Sequence, residues 1–141
     1  MKHLLKTAGA VSIACGLFAG LSTVAAHHSG TMFDYTKSLT LKGTVVELRW
    51  VNPHVSLSVN GTTADGEEPA LWVLEMSSPG NLMRVSGWSR NSVKTGDRVE
   101  VVIAPLRDAE KKGGSLRKLT LLETGQVFTA DIRAQEKPGL E

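Results

Sequence analysis

Ser78-Pro79-Gly80-Asn81-Leu82-Met83-Arg84-Val85-Ser86-Gly87 is the stretch whose reading decides the fold. A serine followed by proline is a helix start, because the hydroxyl caps a free backbone N–H and proline fits the first helical position. Leu82, Met83 and Val85 supply an apolar side, and Gly87 is a stop signal. The helix this predicts is short, about two turns. Everything around it alternates with the period of strands.

Working back from the helix, Leu71 to Met76 reads as a strand. It is preceded by a polar loop from Gly61 to Pro69, with Asn60-Gly61 and Asp65-Gly66 as turn signals. From His54 to Asn60, Val55, Leu57 and Val59 alternate with Ser56 and Ser58, and Asn52-Pro53 forms the turn before them. The first strand, Leu39 to Val51, holds Leu39 and Leu41 in one phase and Val46, Leu48 and Trp50 in the other. The phase change falls just after Gly43, which predicts a bulge or sharp bend there, in a strand that serves two halves of a curled sheet.

Working forward, Lys94-Thr95-Gly96-Asp97 turns into a strand from Arg98 to Ala104, with Val99, Val101 and Ile103 on one side. Asp108 to Gly114 turns again into Ser115 to Glu123, and Thr124-Gly125 starts a return through Gln126 to Phe128. Three strands, a helix, two strands and an extra ribbon make the fold class all-β with one short helix. The expected architecture is a small OB-fold-like Greek-key barrel, whose helix belongs between the third and fourth strands. A β-sandwich is the competing arrangement, and the position of Ser78 to Gly87 decides against it.

The first 26 residues have the three parts of an export signal. Lys2 and Lys6 give a positive start, Leu4 to Leu21 an apolar Ala/Gly-rich run, and Val24 and Ala26 the small residues before a cut. The expected division is therefore a signal peptide over 1–26, an N-terminal arm over 27–38, a barrel domain over 39–129 and a flexible tail over 130–141. Met32, Phe33 and Tyr35 give the arm apolar groups with which to dock, whereas the tail is too polar to demand structure. The expected location is periplasmic or secreted, with no membrane insertion after processing. A lipoprotein reading of Cys15 competes, but Ser12 stands where leucine is usual and the apolar stretch from Leu17 to Ala26 is then unexplained.

Cys15 is the only cysteine of the 141 residues, so the processed chain has no thiol for a disulfide or a cysteine zinc site. The chain carries 16 Lys plus Arg against 14 Asp plus Glu, and the excess is Lys2 and Lys6 of the leader. A balanced, exported protein lacks the electrostatic footprint of a nucleic-acid binder. Lys111, Lys112, Arg117 and Lys118 form a local basic patch, read as a solvated hairpin or as a polyanion site.

Cutting after Ala26 exposes the α-amine of His27 beside His28. A terminal histidine offers its amine and a ring nitrogen to one ion, and a third nitrogen from His28 or His54 completes a set suited to Cu(II). Cutting after Ala25 instead places His28 third from the amine, which also chelates Cu(II). The metal residues expected from sequence are thus His27, His28 and His54, with a copper ion as the cofactor. The plain alternative is that the histidine pair only marks the cleavage junction. His54, after Asn52-Pro53, borders the usual OB ligand face or else bonds turn backbone. Asp34, Glu75, Met32, Met76 and Met83 are further donors, with Met76 and Met83 read as core filler. Glu75 is expected to face solvent or, if buried, to pair with Arg84. Trp50, Trp72 and Trp88 are read as packing groups or as a stacking platform. With no nucleophile elbow and no phosphate loop, the chain is not expected to be an enzyme.

With these pieces in view, the chain resembles domain-of-unknown-function family 6152, small exported bacterial proteins. The matching residues are His27-His28-Ser29, Leu41-Lys42-Gly43-Thr44-Val45, Trp50-Val51-Asn52-Pro53-His54, Trp72 with Glu75, Pro79 through Leu82, Arg84 to Gly87-Trp88, and Gly96-Asp97. One departure is Gly30, where the family often carries an aromatic residue. The resemblance implies a compact β-rich fold and export, with no assigned activity. Two functions are expected from the residues: a small exported module binding copper through its processed end, or a metal-free periplasmic OB-like module for a small molecule, glycan or protein partner. A structural role in the envelope is a third.

Overall fold

The computed structural model of the protein describes residues 32–130. Its alternating runs become β1 (Leu39–Arg49), β2 (Ser56–Thr62), β3 (Ala70–Glu75), β4 (Arg98–Pro105), β5 (Gly113–Leu121) and β6 (Val127–Thr129), with α1 (Pro79–Ser86) between β3 and β4. β1 pairs antiparallel with both β2 and β4, β2 pairs with β3, and β4 with β5. β3 then closes on β5 in parallel through Val73–Glu75 and Gly113–Ser115. The result is a closed five-stranded barrel of OB type, with β6 added as a hairpin on β5.

The bend in β1 lies elsewhere than the sequence pattern predicts. Val45 stays in the inward phase of Leu39 and Leu41, and the register slips between Val45 and Glu47, so Val46 is the extra residue of the bulge. Its surplus carbonyl accepts from the Thr95 hydroxyl at 2.9 Å, and Gly96 N–H reaches Val45 O at 2.8 Å. Gly43 does something different. There β1 is paired on both sides, with Gly61 and with Val99, and the backbones of Gly43 and Gly61 meet without a side chain between them. A second bulge, at Arg117 in β5, turns that side chain out of the ladder.

α1 begins as its sequence prescribes, with Ser78 Oγ accepting Asn81 N–H at 3.4 Å and Gly87 ending it in the left-handed region. That bond is long, so Ser78→Ala is expected to cost about 0.5–1 kcal/mol in a denaturant melt. Of the three apolar residues assigned to the inner side, only Leu82 is buried; Met83 is 58% exposed and Val85 37%. An eight-residue helix offers one narrow contact stripe, and successive residues turn away from it. Met83 is therefore surface, while Met76 fills the core at 4% exposure.

Inside the barrel, Leu41, Val45, Leu57, Val59, Leu74, Val99, Val101, Ile103, Leu116 and Leu119 pack as one cluster with Trp72, Trp88 and Phe128. Ala130, assigned to the tail, is buried, and its N–H bonds Arg117 O at 2.8 Å. Residues 131–141 lie outside the described part.

From Met32 to Ser38 the arm lies along the start of the β4–β5 loop. Phe33 is buried and bridges Leu106; Asp34 N–H reaches Pro105 O and Arg107 N–H reaches Met32 O, each at 2.8 Å. The turned-out Arg117 donates to Tyr35 O at 2.6 Å and to Ser38 Oγ at 2.8 Å. Asp34 caps the turn that follows. The Thr36 hydroxyl, donating at 2.6 Å, holds the Asp34 carboxyl below its ordinary range, with help from Thr36 N–H and Lys37. A lowered pKa means the turn is favoured above the ordinary carboxylate pKa and loses that contribution as pH falls through the folded value. Thr36→Ala is expected to raise the Asp34 pKa, read directly by carboxyl NMR titration.

Candidate functional site

Two loops flank the β2–β3 surface in this fold: residues 50–55 between β1 and β2, and residues 106–112 between β4 and β5. Asn52-Pro53, joined by a cis peptide, starts the return of the first loop. Past it the ladder resumes one residue ahead of β2, with Val55 N–H on Ser77 O at 3.0 Å and Met76 N–H on Val55 O at 2.8 Å. Val55 is fully buried, so His54 beside it is forced outward. Glu75 is outward in the facing strand, opposite Ser56.

The two side chains meet, with His54 Nδ1 at 3.0 Å from Glu75 Oε1; they are 42% and 32% exposed. His54 thus meets a carboxylate rather than turn backbone, and Glu75, outward and not buried, pairs with His54, while Arg84 donates to Asn81 Oδ1 at 3.0 Å. The signal was present in sequence: His54 and Glu75 occupy the same outward phase on either side of one hairpin. Donation from Nδ1 to the carboxylate leaves Nε2 as the acceptor of the neutral ring, the arrangement that orients a metal-ligating or hydrogen-bonding histidine. Nε2 has no partner among the described residues.

Beside this pair, the outer surface of the hairpin sets Ser56, Ser58 and Asn60 opposite Glu75, Val73 and Leu71. Leu71 and Val73 are half exposed, giving a polar column next to an apolar one. At the other loop, Lys112 Nζ stands 5.2 Å from the centre of the Trp72 ring. Trp72 is buried, yet its Nε1 has no hydrogen-bond partner among the described residues. Trp88, equally buried, gives its indole N–H to Thr129 O at 2.8 Å. Trp50 is partly buried against the core. None of the three tryptophans is a fully exposed platform.

His27 and His28 lie outside the described residues, as do residues 1–26, where a leader is expected. Met32 is held at Arg107, beyond the end of β4, whereas His54 lies past the far end of β3. Among the described residues, no group of three His, Cys, Asp or Glu gathers that could hold a metal. Met32 is exposed on the arm, Asp34 is engaged by Thr36 and Lys37, and Met76 is buried.

The remaining charged features are solvated pairs. Glu67 accepts from Thr63 at 3.1 Å and Thr62 at 3.2 Å, which lowers its pKa and ties up the carboxylate nearest the loop's threonines. A polar concavity of about 510 Å³ opens there between Thr40, Lys42 and Thr62 to Asp65, with Lys42 already 3.8 Å from Glu100. In the basic hairpin, Lys111 pairs with Asp108 at 3.2 Å and Arg117 is spent on the arm. No helix among the described residues is long and apolar enough to cross a membrane.

Comparison with known proteins gives one match: a family described as a family of unknown function (DUF6152), over residues 16–115. No curated protein and no solved structure matches.

Proposed function

The chain belongs to that family of unknown function, and from its own residues we propose that it is an exported binding module that takes up copper at its processed end. The observation that carries this reading is the docking of the arm. Phe33 is buried and Met32 is held through Arg107, so a terminus at His27 is tethered five residues from a fixed point. Such a leash spans at most about 18 Å, which limits the freedom that metal binding must remove. The amine and ring of His27, with the ring of His28, supply three nitrogens in a form suited to Cu(II). His28 is favoured over His54 as the third donor, because it is the next residue in the chain. Bound copper would supply a Lewis-acidic or redox-active centre; the chain's part is to hold it.

Calorimetric titration of chain beginning at His27, without a tag, tests this. Tight one-to-one Cu(II) binding is expected, weakened at least about a hundredfold when the terminal amine is acetylated, since a chelate ring is lost. Unchanged affinity after acetylation together with replacement of His27 and His28 would overturn it.

The His54–Glu75 pair favours a second reading, a metal-free module that binds a small polar ligand on the β2–β3 surface. An imidazole oriented by a carboxylate, beside a column of serine hydroxyls, is a recognition group that needs no ion. On this reading tryptophan fluorescence responds to the ligand and not to metal.

A further inference from the structure

We propose that the concavity between the β2–β3 loop and the outer surface of β1 and β4 binds an uncharged polyhydroxylated ligand, a saccharide. The inference goes beyond both readings above, because this site lies at the opposite end of β2 from His54 and uses neither that residue nor the processed end. Lys42 is its centre. There β1 is paired on both sides, with Thr62 of β2 and Glu100 of β4. Leu41, Val99 and Val101 are buried on the inner face, so Thr62, Lys42 and Glu100 share one outward row, about 5 Å from strand to strand. Thr40 is next on the same side of β1.

The loop after β2 raises a fixed wall beside that row. Thr62 Oγ1 donates to Ala64 O at 2.6 Å, Thr63 Oγ1 donates to Glu67 Oε2 at 3.1 Å, and Glu67 N–H returns to Ala64 O at 3.4 Å. A wall already held by its own hydrogen bonds has little freedom to lose when a ligand docks against it. The space between row and wall is about 510 Å³, which is within the range of small-ligand sites.

The lining selects the ligand class. Among the described residues it holds no aromatic ring and one apolar residue, Ala64, so neither a flat base nor an acyl chain meets a complementary surface. Asp65 and Glu100 disfavour an anion, and the Lys42 ammonium disfavours a cation. Hydroxyl groups answer both, since each of them donates and accepts. Lys42 stands 3.8 Å from Glu100, beyond hydrogen-bonding distance, and this loose pair leaves ammonium hydrogens and carboxylate lone pairs for other partners. Asp65 and the Thr40 hydroxyl have no partner among the described residues. Adjacent hydroxyls of a sugar ring fit this set: one donates to a carboxylate while its neighbour accepts from the ammonium. The threonine methyls and Ala64 meet the C–H face of the ring.

Amide NMR of the chain beginning at His27 tests the site, with maltose and cellobiose as the probes and sodium acetate and methylammonium chloride in separate arms at equal ionic strength. The amides of Lys42, Thr63, Ala64, Asp65 and Glu100 are expected to move saturably with at least one sugar and with neither salt. Asp65→Ala and Glu100→Ala are each expected to weaken that response about tenfold. Both side chains stand outside the core, so these variants keep the fold. No saturable movement with either sugar, an equal response to the salts, or full affinity in the double variant would overturn the site. Sugar-dependent movement confined to His54 and Ser56 would also overturn it, while supporting the metal-free reading.

Discussion

Gly43→Ala and Gly61→Ala are each expected to lower the unfolding free energy by about 3 kcal/mol, because overpacking against backbone cannot be relieved by a rotamer change. A Cβ on Gly61 would lie against the Lys42 carbonyl, and one on Gly43 against Asn60 O, Gly61 Cα and Val59 Cγ1. Apart from Val59 Cγ1 these are main-chain atoms of the strands that make the barrel, and β1 is hydrogen-bonded on both sides at this point. Relief would require separating β1 from β2. Melting temperatures should fall by more than about 10 °C, given the usual conversion for a domain of this size. Gly80→Ala is the control: its Cβ meets nothing within 4 Å, and helix propensity makes the change neutral or favourable. If Gly43→Ala melts within a degree or two of the parent, the crossing of β1 over two partners is wrong.

Trp88→Ala is expected to cost about 4 kcal/mol, the usual range for a fully buried large aromatic. Trp88 is 1% exposed, stacks on Phe128 with ring centres 4.9 Å apart, and its N–H holds Thr129 O. Its own N–H returns to Leu82 O at 3.2 Å, so one residue joins the end of α1 to β6. Trp88→Phe should lose only about 1–2 kcal/mol, because most of the apolar contact remains. Hydrogen exchange gives the signature: in Trp88→Phe, the Ala130 amide bonded to Arg117 O should exchange faster, with β1 amides unchanged. Uniform acceleration through the barrel would contradict this local role.

Much of the barrel was legible in sequence because its causes are local. Alternation of Val99, Val101 and Ile103 needs only the strand period, and Ser78-Pro79 with Gly87 carries its own start and stop. The bulge was misplaced because Gly43 and Val46 both interrupt the alternation, and the pattern does not say which interruption is an extra residue and which is a close crossing. That distinction depends on β4 and Gly61, which are distant in sequence. Met83 was misassigned for a similar reason: apolar character marks a possible contact, but a helix this short has room for Leu82 alone.

At the candidate site, the outward phases of His54 and Glu75 were readable, and their meeting followed from one hairpin register. The Lys112–Trp72 contact was not, since it joins a loop to a strand through the parallel closure of the barrel. His27 and His28 draw their interest from a proposed event upstream of folding, a cleavage that would create a new chain start.

The mass of the N-terminal peptide from protein recovered outside the cytoplasm tests that event most directly. The account predicts a chain beginning at His27, with the terminus at Ala26 also keeping His28 in a chelating position. A retained leader, or a chain starting after His28, would contradict it.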